Sequence, residues 1–186
     1  RNLQDQLFYR DLPMAVDALG YRGKTALLKG RANYLCLYRL EMARSEGITK
    51  NKSLLDQLTR VYEWSQHTEK GEITELAGIA DDSEVWPLVT STVDNCLLGE
   101  CPNFTDCHLF KARRKAEEAD VVVVNHHLLF ADIALKDQSH GEILPKFKAY
   151  ILDEAHQVPD TATRFFSKAL SSRQIRDLIK DVQFEA

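Results

Sequence analysis

The amino-acid sequence predicts an α/β fold with a sheet that is parallel at least in part. Uninterrupted apolar runs in the segments 120–125 and 149–153 are typical of strands that are buried on both faces of a sheet. Helical patterns surround these runs, and strands that are joined by helical crossovers form parallel sheets. A shorter strand is predicted over 25–29, directly before Gly30.

Apolar residues recur at helical spacing in the segments around these strands. The predicted helices cover 2–19, 31–44, 53–67, 107–119 and 171–184. We expect the first helix to break near Pro13, because proline lacks the N–H that a helix interior needs, and the second to contain Cys36. The segment 69–89 is acidic and contains glycines and a proline, which predicts a surface loop with fragments of structure.

The composition limits the class of protein. Hydrophobic residues make up 44% and charged residues 28% of the 186 residues, which is typical of a globular chain. The net charge of −4 disfavours a nucleic-acid coat protein, although a local basic face can still bind phosphates. No apolar run approaches the roughly 18 residues of a membrane span, and no signal peptide is recognisable. Because the chain begins at Arg1, we expect a piece of a longer, cytoplasmic protein.

Two adjacent carboxylates end the predicted strand at 149–153. Asp153, Glu154 and His156 belong to an Asp-Glu-Ala-His sequence at the carboxyl end of that strand, where ligands bind in open α/β sheets. P-loop enzymes use a strand-end Asp to hold Mg²⁺, and a neighbouring Glu can activate the attacking water, with His156 beside the phosphates. The sequence is that of helicase box II. The alternative is a strand followed by a charged, helix-capping turn.

One glycine-containing loop matches a relaxed P-loop pattern. Residues 18–25 end in Gly23-Lys24-Thr25, with Ala18 in place of the first glycine. A P-loop follows a strand and begins a helix, whereas this loop follows a helical segment and precedes a predicted strand. We therefore interpret the match as accidental, so that the chain holds half of an ATP site.

The cysteines are grouped. Cys96, Cys101 and Cys107 are separated by four and five residues, and Cys36 lies far upstream. In a reducing compartment this grouping indicates metal binding rather than disulfides. Structural zinc sites commonly use closer pairs, so the wider spacing favours a four-iron cluster. Zinc and plain buried thiols remain as alternatives.

Several segments together resemble one family of proteins. They are 2–7, 28–36, the cysteine cluster 95–107, 121–132 and 150–156. The chain resembles the DinG/YoaA-type iron–sulfur DNA helicases of superfamily 2, relatives of XPD, with the YoaA members nearest. The resemblance covers nearly the whole chain.

The resemblance implies a partial RecA-like parallel sheet with a mainly helical iron–sulfur insertion. By this resemblance the four cysteines ligate a [4Fe-4S] cluster, while Asp153 binds Mg²⁺ and Glu154 activates water in an ATP site. It also implies the domain organisation: part of RecA-like domain 1 at 1–30, an iron–sulfur domain at 31–110, the continuation of domain 1 with box II at 111–160, and the start of an arch-like insertion at 161–186.

The same resemblance implies a function for the parent protein. Members of the family hydrolyse ATP, move 5′ to 3′ on single-stranded DNA and unwind forked duplexes or DNA–RNA hybrids. We expect a role in DNA repair or replication, in the nucleoid-associated cytoplasm, with a replication or repair protein as a partner and no membrane. The family's phosphate-binding loop and second RecA-like domain lie outside the part that resembles this chain, so we expect the fragment alone to be inactive.

Basic and aromatic residues near the cysteine cluster are candidates for DNA contacts. We expect the following residues to face phosphates or bases: Lys29, Arg31, Tyr34, Arg113, Arg114 and Lys115. A solvated helix face or a core position is an equal alternative for each. Two other hypotheses concern the whole chain: a non-enzymatic zinc or redox-sensing binding module, and an interaction module whose acidic stretch 69–84 docks a partner protein.

Overall fold

The computed structural model describes residues 3–45, 51–137 and 142–167. Its helices are α1 (Leu3–Gln6), α2 (Leu12–Ala18), α3 (Leu37–Ser45), α4 (Lys52–Ser65), α5 (Val85–Val89), α6 (His108–Glu117), α7 (His126–Asp137) and α8 (Val158–Phe166). Its strands are β1 (Thr25–Leu27) and β2 (Val121–Val123). The chain therefore has the predicted α/β fold class.

The two strands form a parallel sheet. Thr25 is paired with Val121 and Leu27 with Val123. The ladder continues beyond the strands, where the N–H of Leu28 donates to the carbonyl of Val123 at 3.0 Å. A first apolar core packs around the sheet and comprises Ala26, Leu28, Ala116, Leu128, Leu129 and Leu144. The strands predicted at 25–29 and 120–125 are thus confirmed.

The prediction of a third strand at 149–153 is wrong. This segment has no strand conformation, and Tyr150, Ile151 and Leu152 are 59%, 97% and 44% exposed. A strand needs a neighbouring backbone that accepts and donates its hydrogen bonds. Nothing within the described residues pairs with this segment, so its apolar side chains have no sheet to pack into.

The N-terminal helical segment does not break at Pro13. A π-helical turn, Leu7–Asp11, joins α1 to α2. Pro13 lies in the first turn of α2, where the missing proline N–H has little consequence. The segment is therefore helical from Leu3 to Ala18, and its irregularity is the wider π turn rather than a break.

The helix predicted over 31–44 begins later than expected. A short 3₁₀ turn, Arg31–Asn33, is followed by Tyr34 and Leu35, which form antiparallel bridges with Glu72 and Thr90. α3 begins at Leu37, and the carbonyl of Cys36 accepts its first hydrogen bond. Cys36 thus precedes the helix instead of lying inside it. Its position is set by long-range backbone pairing, which helical periodicity does not detect.

The segment 69–89 is not a surface loop. Ile79, Val85, Trp86 and Val89 are buried in a second apolar core, together with Leu35, Leu40, Ala43, Leu58 and Val61. The indole N–H of Trp86 donates to the carbonyl of Ala80 at 2.8 Å, which fixes the chain where it enters α5. The acidic residues of the segment are exposed except for Glu72, which is buried, and the apolar residues cover α3 and α4.

Two of the remaining helix predictions are confirmed. The segments 53–67 and 107–119 form α4 and α6. The helix predicted at 171–184 lies outside the described residues. Across 3–45, 51–137 and 142–167, no helix combines the length and the apolar character that crossing a membrane requires.

Candidate functional site

All four cysteines line one small cavity. Its volume is about 30 Å³, and Cys36, Cys96, Cys101 and Cys107 all contribute to its wall. Cys36 lies directly before α3, and Cys107 is the N-terminal cap residue of α6. The fold therefore brings together thiols that are far apart in the sequence.

Consecutive tight turns hold the cysteine loop. The N–H of Cys101 donates to the carbonyl of Leu98 at 3.1 Å, and the N–H of Cys107 donates to that of Phe104 at 3.2 Å. Leu98 has a φ of +50°, a left-handed conformation that costs a leucine about 1 kcal/mol or more. On the opposite wall, the N–H of Cys36 donates to the carbonyl of Val89 at 2.8 Å. The hydrogen bond to Val89 of the second core therefore positions Cys36, and the loop that contains Leu98 positions the other three cysteines.

The thiols influence one another. Burial raises the pKa of Cys36, and the charges of Cys107, Cys101 and Cys96 raise it further, while the backbone N–H of Arg39 lowers it. Such mutual effects require the sulfur atoms to be close together. Four neighbouring, partly buried thiolates would repel one another, which favours a cationic group beside them.

Guanidinium groups next to the cavity supply positive charge. Nη1 of Arg31 and Nε of Arg113 are buried without a hydrogen-bond partner among the described residues. Burial and the neighbouring Arg31 lower the pKa of Arg113, whereas Cys96 and Cys107 raise it. Partly buried guanidinium groups, each with one buried and unmatched N–H donor, favour a negatively charged occupant of the adjacent cavity.

Four cysteine thiols are a donor set that both iron–sulfur clusters and zinc use. Within the described part of the chain, no three His, Cys, Asp or Glu side chains are placed as one metal ion requires. In a [4Fe-4S] cluster each of the four thiolates binds a different iron, so the sulfur atoms surround a volume instead of a point. Four thiols on the wall of one cavity fit the donor chemistry of such a cluster.

Two predicted DNA-binding residues are buried. The side chain of Lys29 is 1% exposed, and its Nζ lies 2.6 Å from Oδ1 of Asp5 and 2.7 Å from Oε2 of Glu72. Tyr34 is 2% exposed, its hydroxyl accepts from the N–H of Lys29 at 3.1 Å, and burial raises its pKa to about 12. The expectation that they face phosphates or bases is corrected, because both are committed to internal contacts.

The other four DNA-binding candidates lie in two different places. Arg31 and Arg113 are partly buried near the thiols, as described above. Arg114 and Lys115 are exposed on α6. These two remain candidates for phosphate contacts.

The box II residues lie on an exposed turn. The N–H of Glu154 donates to Oδ1 of Asp153 at 3.0 Å, and Nδ1 of His156 lies 3.2 Å from Oε2 of Glu154. Glu154 has a φ of +49°, which turns the chain from the extended segment into the 3₁₀ turn Ala155–Gln157. The structure therefore groups all three side chains, but outside the cysteine cavity.

The glycine loop at 18–25 follows a helix and precedes a strand, as the sequence predicts. α2 ends at Ala18, Gly20 turns the chain with a φ of +61°, and β1 begins at Thr25. A P-loop requires strand, loop and helix, and this loop connects a helix to a strand. The N–H of Lys24 donates to Oδ2 of Asp120 at 2.8 Å, so the loop joins the sheet. Its P-loop match is accidental.

Sequence reasoning missed a larger cavity of about 500 Å³. It lies beside α6, and its wall includes Tyr9, Lys70, His108, Lys111 and Lys115. These residues come from three separate segments, so no local pattern indicates the cavity. The basic face of α6 was the only signal in the sequence.

A parallel sheet with a cysteine-lined helical insertion between its strands, followed by an Asp-Glu-Ala-His turn, is the arrangement that the resemblance to the helicase class leads us to expect. The comparison with protein families agrees and is more specific. The chain belongs to the DEAD_2 family, whose model matches residues 24–175.

Curated relatives match nearly the whole chain. It is 50% identical over 182 residues to the "ATP-dependent DNA helicase YoaA" of Haemophilus influenzae, covering 98% of this chain. It is 51% identical over 180 residues to the protein of that name from Escherichia coli, covering 97% of this chain. It is 34% identical over 189 residues to the "ATP-dependent helicase DinG" of Mycobacterium tuberculosis, covering 91%. The chain spans 28% of the length of each of these relatives. The resemblance to the DinG/YoaA-type helicases is therefore confirmed.

Proposed function

We propose that this chain is the cysteine-bearing segment of an ATP-dependent DNA helicase, and that the cysteines hold a [4Fe-4S] cluster. The observation that carries the proposal is the convergence of four thiols on one cavity beside buried guanidinium groups. The names of the relatives support the helicase activity of the parent protein. The parent translocates 5′ to 3′ on single-stranded DNA, unwinds forked duplexes and acts in repair or replication in the nucleoid-associated cytoplasm.

The cluster's role here follows from what it connects. Cys36 and the loop that carries the other three cysteines would hold the cluster, and iron–thiolate bonds would then join these two segments. Arg31 and Arg113 offset the negative charge of the thiolates. Phe104 and Phe110, whose ring centroids are 4.2 Å apart, form part of the apolar wall that keeps water from the sulfur atoms.

The box II turn supplies the carboxylates of the ATP site. Asp153 would hold Mg²⁺, and Glu154 would orient and deprotonate the attacking water. His156, 3.2 Å from Glu154, positions that carboxylate. The glycine loop connects a helix to a strand and is not a P-loop, so we expect the chain by itself to hydrolyse no ATP.

The division of the buried residues into two apolar cores supports the proposed domains. The core around the sheet belongs to the RecA-like domain, at 1–30 and 111–160. The core around α3, α4 and α5 belongs to the iron–sulfur domain at 31–110. The arch-like insertion begins at 161.

Metal analysis tests the cluster. Protein purified without oxygen is assayed for iron, acid-labile sulfide and zinc, and its visible spectrum is recorded. We expect about four irons and four sulfides per chain. Cys101→Ser should lose most of the iron, whereas Thr105→Ala, an exposed residue in the same loop, should retain it. One zinc per chain and no iron would contradict the proposal.

The ATP site is tested in the full-length parent. Glu154→Gln should abolish DNA-stimulated ATP hydrolysis while leaving nucleotide binding and iron content unchanged. The matched variant Glu142→Gln, at an exposed carboxylate outside the turn, should hydrolyse ATP normally. Normal hydrolysis by Glu154→Gln would exclude the assigned role.

A further inference from the structure

Three charged side chains meet in the interior of the chain and form a buried ion triad. Nζ of Lys29 lies 2.6 Å from Oδ1 of Asp5 and 2.7 Å from Oε2 of Glu72, and the lysine side chain is 1% exposed. Asp5 lies in α1, whereas Lys29 comes shortly after β1. The triad therefore joins α1, the end of β1 and the segment that contains Glu72.

Such a triad is a costly way to fill space in a protein interior. Taking ions out of water costs several kcal/mol for each ion, and apolar side chains of similar volume are often at least as stable in the same place. A buried charge can instead select one arrangement of the chain, because few arrangements leave it paired. We therefore expect the triad to fix the relative positions of the segments that it joins.

The segment that leads to Cys36 is held by single bridges. Tyr34 forms an isolated antiparallel bridge with Glu72. Leu35 forms a second isolated bridge with Thr90. Isolated bridges specify register weakly, and a shift by one residue turns every side chain of a paired segment to the opposite face. A slip of these bridges would therefore turn Cys36 away from the other three thiols.

Lys29 contacts both residues of the first bridge. Its backbone N–H donates to the hydroxyl of Tyr34 at 3.1 Å, and its ammonium contacts Glu72. Tyr34 and Glu72 are 2% and 7% exposed, so both contacts are shielded from water. The preceding residue, Leu28, donates its N–H to the carbonyl of Val123 in the sheet ladder, which fixes the position of Lys29. A slip of the bridge would separate Lys29 from the side chains that it contacts.

The other three cysteines are positioned independently of this bridge. Cys96, Cys101 and Cys107 belong to one loop, and its turns are closed by hydrogen bonds between residues of the same loop. A change in the pairing of Tyr34 should therefore displace Cys36 and leave the other three thiols in place.

We propose that Lys29 is a positioning residue for the thiol cavity. Together with Glu72 it sets the register of the bridge to Tyr34, and this register directs Cys36 toward the other three cysteines. Asp5 completes the triad from α1 but takes no part in the bridge. The role in cluster retention rests on the proposed function, whereas the position of the Cys36 thiol is measurable in the metal-free chain.

Thiol alkylation of the metal-free chain tests the position of Cys36. The chain is treated with iodoacetamide for increasing times, and mass spectrometry follows each cysteine separately. In Lys29→Met/Asp5→Asn/Glu72→Gln, Cys36 should react about tenfold faster, which corresponds to about 1.4 kcal/mol. The rates of the other three cysteines should stay unchanged. The exposed control Lys148→Met should react like the unmodified chain.

The two carboxylates provide a matched pair of single changes. Asp5→Asn and Glu72→Gln each remove one carboxylate from Lys29, but only Glu72 lies on the bridge. Glu72→Gln should therefore accelerate the alkylation of Cys36, whereas Asp5→Asn should not. Urea unfolding of both variants measures the loss of stability separately. A triad that serves only overall stability would give rates of alkylation that follow this loss in both variants.

Iron retention adds a second measurement in protein that carries the cluster. Iron release to an excess of bathophenanthroline is followed without oxygen. Release should be about tenfold faster in Glu72→Gln than in Asp5→Asn, because the loss of contacts that support metal ligands typically weakens metal binding by about 10–100-fold.

Several outcomes would overturn the proposal. They are equal alkylation rates of Cys36 in Glu72→Gln and Asp5→Asn, a joint acceleration of all the cysteines, or an unchanged rate in the triple variant. Selective alkylation of Cys36 in a chain that binds zinc would support the positioning role and contradict the [4Fe-4S] cluster. The two proposals therefore fail independently.

Discussion

Replacing Lys29 by methionine tests the buried ion triad that joins the two cores. The ammonium of Lys29 lies 2.6 Å from Asp5 and 2.7 Å from Glu72, and its side chain is 1% exposed. Asp5 belongs to α1, whereas Glu72 pairs with the segment that leads to Cys36. Methionine fills a similar volume, so the change removes the charge and leaves two carboxylates in a desolvated site.

The expected cost follows from the burial. Breaking a buried ion pair by removing one partner costs about 3–5 kcal/mol, a large part of the roughly 5–15 kcal/mol of a typical domain. Lys29→Met/Asp5→Asn/Glu72→Gln should recover most of that loss, because no charge is then left unpaired. The matched exposed change, Lys148→Met, should alter stability by less than about 0.5 kcal/mol.

Urea unfolding followed by circular dichroism measures these differences, and pH adds a second readout. Burial by itself would lower the pKa of Lys29, but hydrogen bonds to Asp5 and Glu72 raise it above the ordinary value of 10.5. The stabilisation is therefore fully present below pH 10.5 and is lost as the pH rises through the folded-state pKa. A loss under about 1 kcal/mol for Lys29→Met, or no recovery in the triple variant, would refute this reasoning.

Three further predictions concern the glycine next to α6, the second core and the thiol cavity. Gly71→Ala should destabilise the chain by well over 1 kcal/mol, because its φ is +64° and the added Cβ would lie 2.2 Å from the buried imidazole of His108. The control Gly20→Ala, at a φ of +61° in open space, should cost only about 1 kcal/mol. Equal losses of the two variants in thermal unfolding would contradict the packing of Gly71 against His108. Leu35→Ala should cost about 2–5 kcal/mol in urea unfolding and the exposed Leu55→Ala under about 1 kcal/mol, a difference that must appear if the second core is formed as described. In protein that carries the cluster, Arg113→Gln should lower the reduction potential measured by redox titration, because a positive charge beside the thiolates favours the reduced, more negative form. An unchanged reduction potential would exclude an electrostatic effect of Arg113 on the cluster.

The sequence predicts the elements whose signals are local. Apolar runs predict β1 and β2, and helical periodicity predicts α4 and α6, because burial of those residues is reflected in their spacing. The run at 149–153 has the same pattern but no strand forms there, since pairing depends on a neighbouring backbone that composition does not reveal. The same limit applies to Cys36, whose placement depends on bridges to residues far along the chain.

The candidate site also has features that local sequence patterns predict and features that they do not. Cysteine spacing predicts the grouping of three thiols, and the fold adds the fourth to the same cavity. The burial of Lys29 and Tyr34 has no local signal, because Asp5 and Glu72 contact Lys29 from segments 24 and 43 residues away along the chain. The 500 Å³ cavity is also invisible in the sequence, since separate segments form its walls.

The exposed run at 150–152 affects how the protein behaves in solution. Tyr150, Ile151 and Leu152 present apolar surface, with Ile151 97% exposed, and within the described ranges no strand pairs with their backbone. Such a segment is a template for edge-to-edge pairing between copies. Aggregation of the purified chain should therefore increase with concentration, and a single gatekeeper charge, Ile151→Lys, should suppress it without altering the thiol cavity.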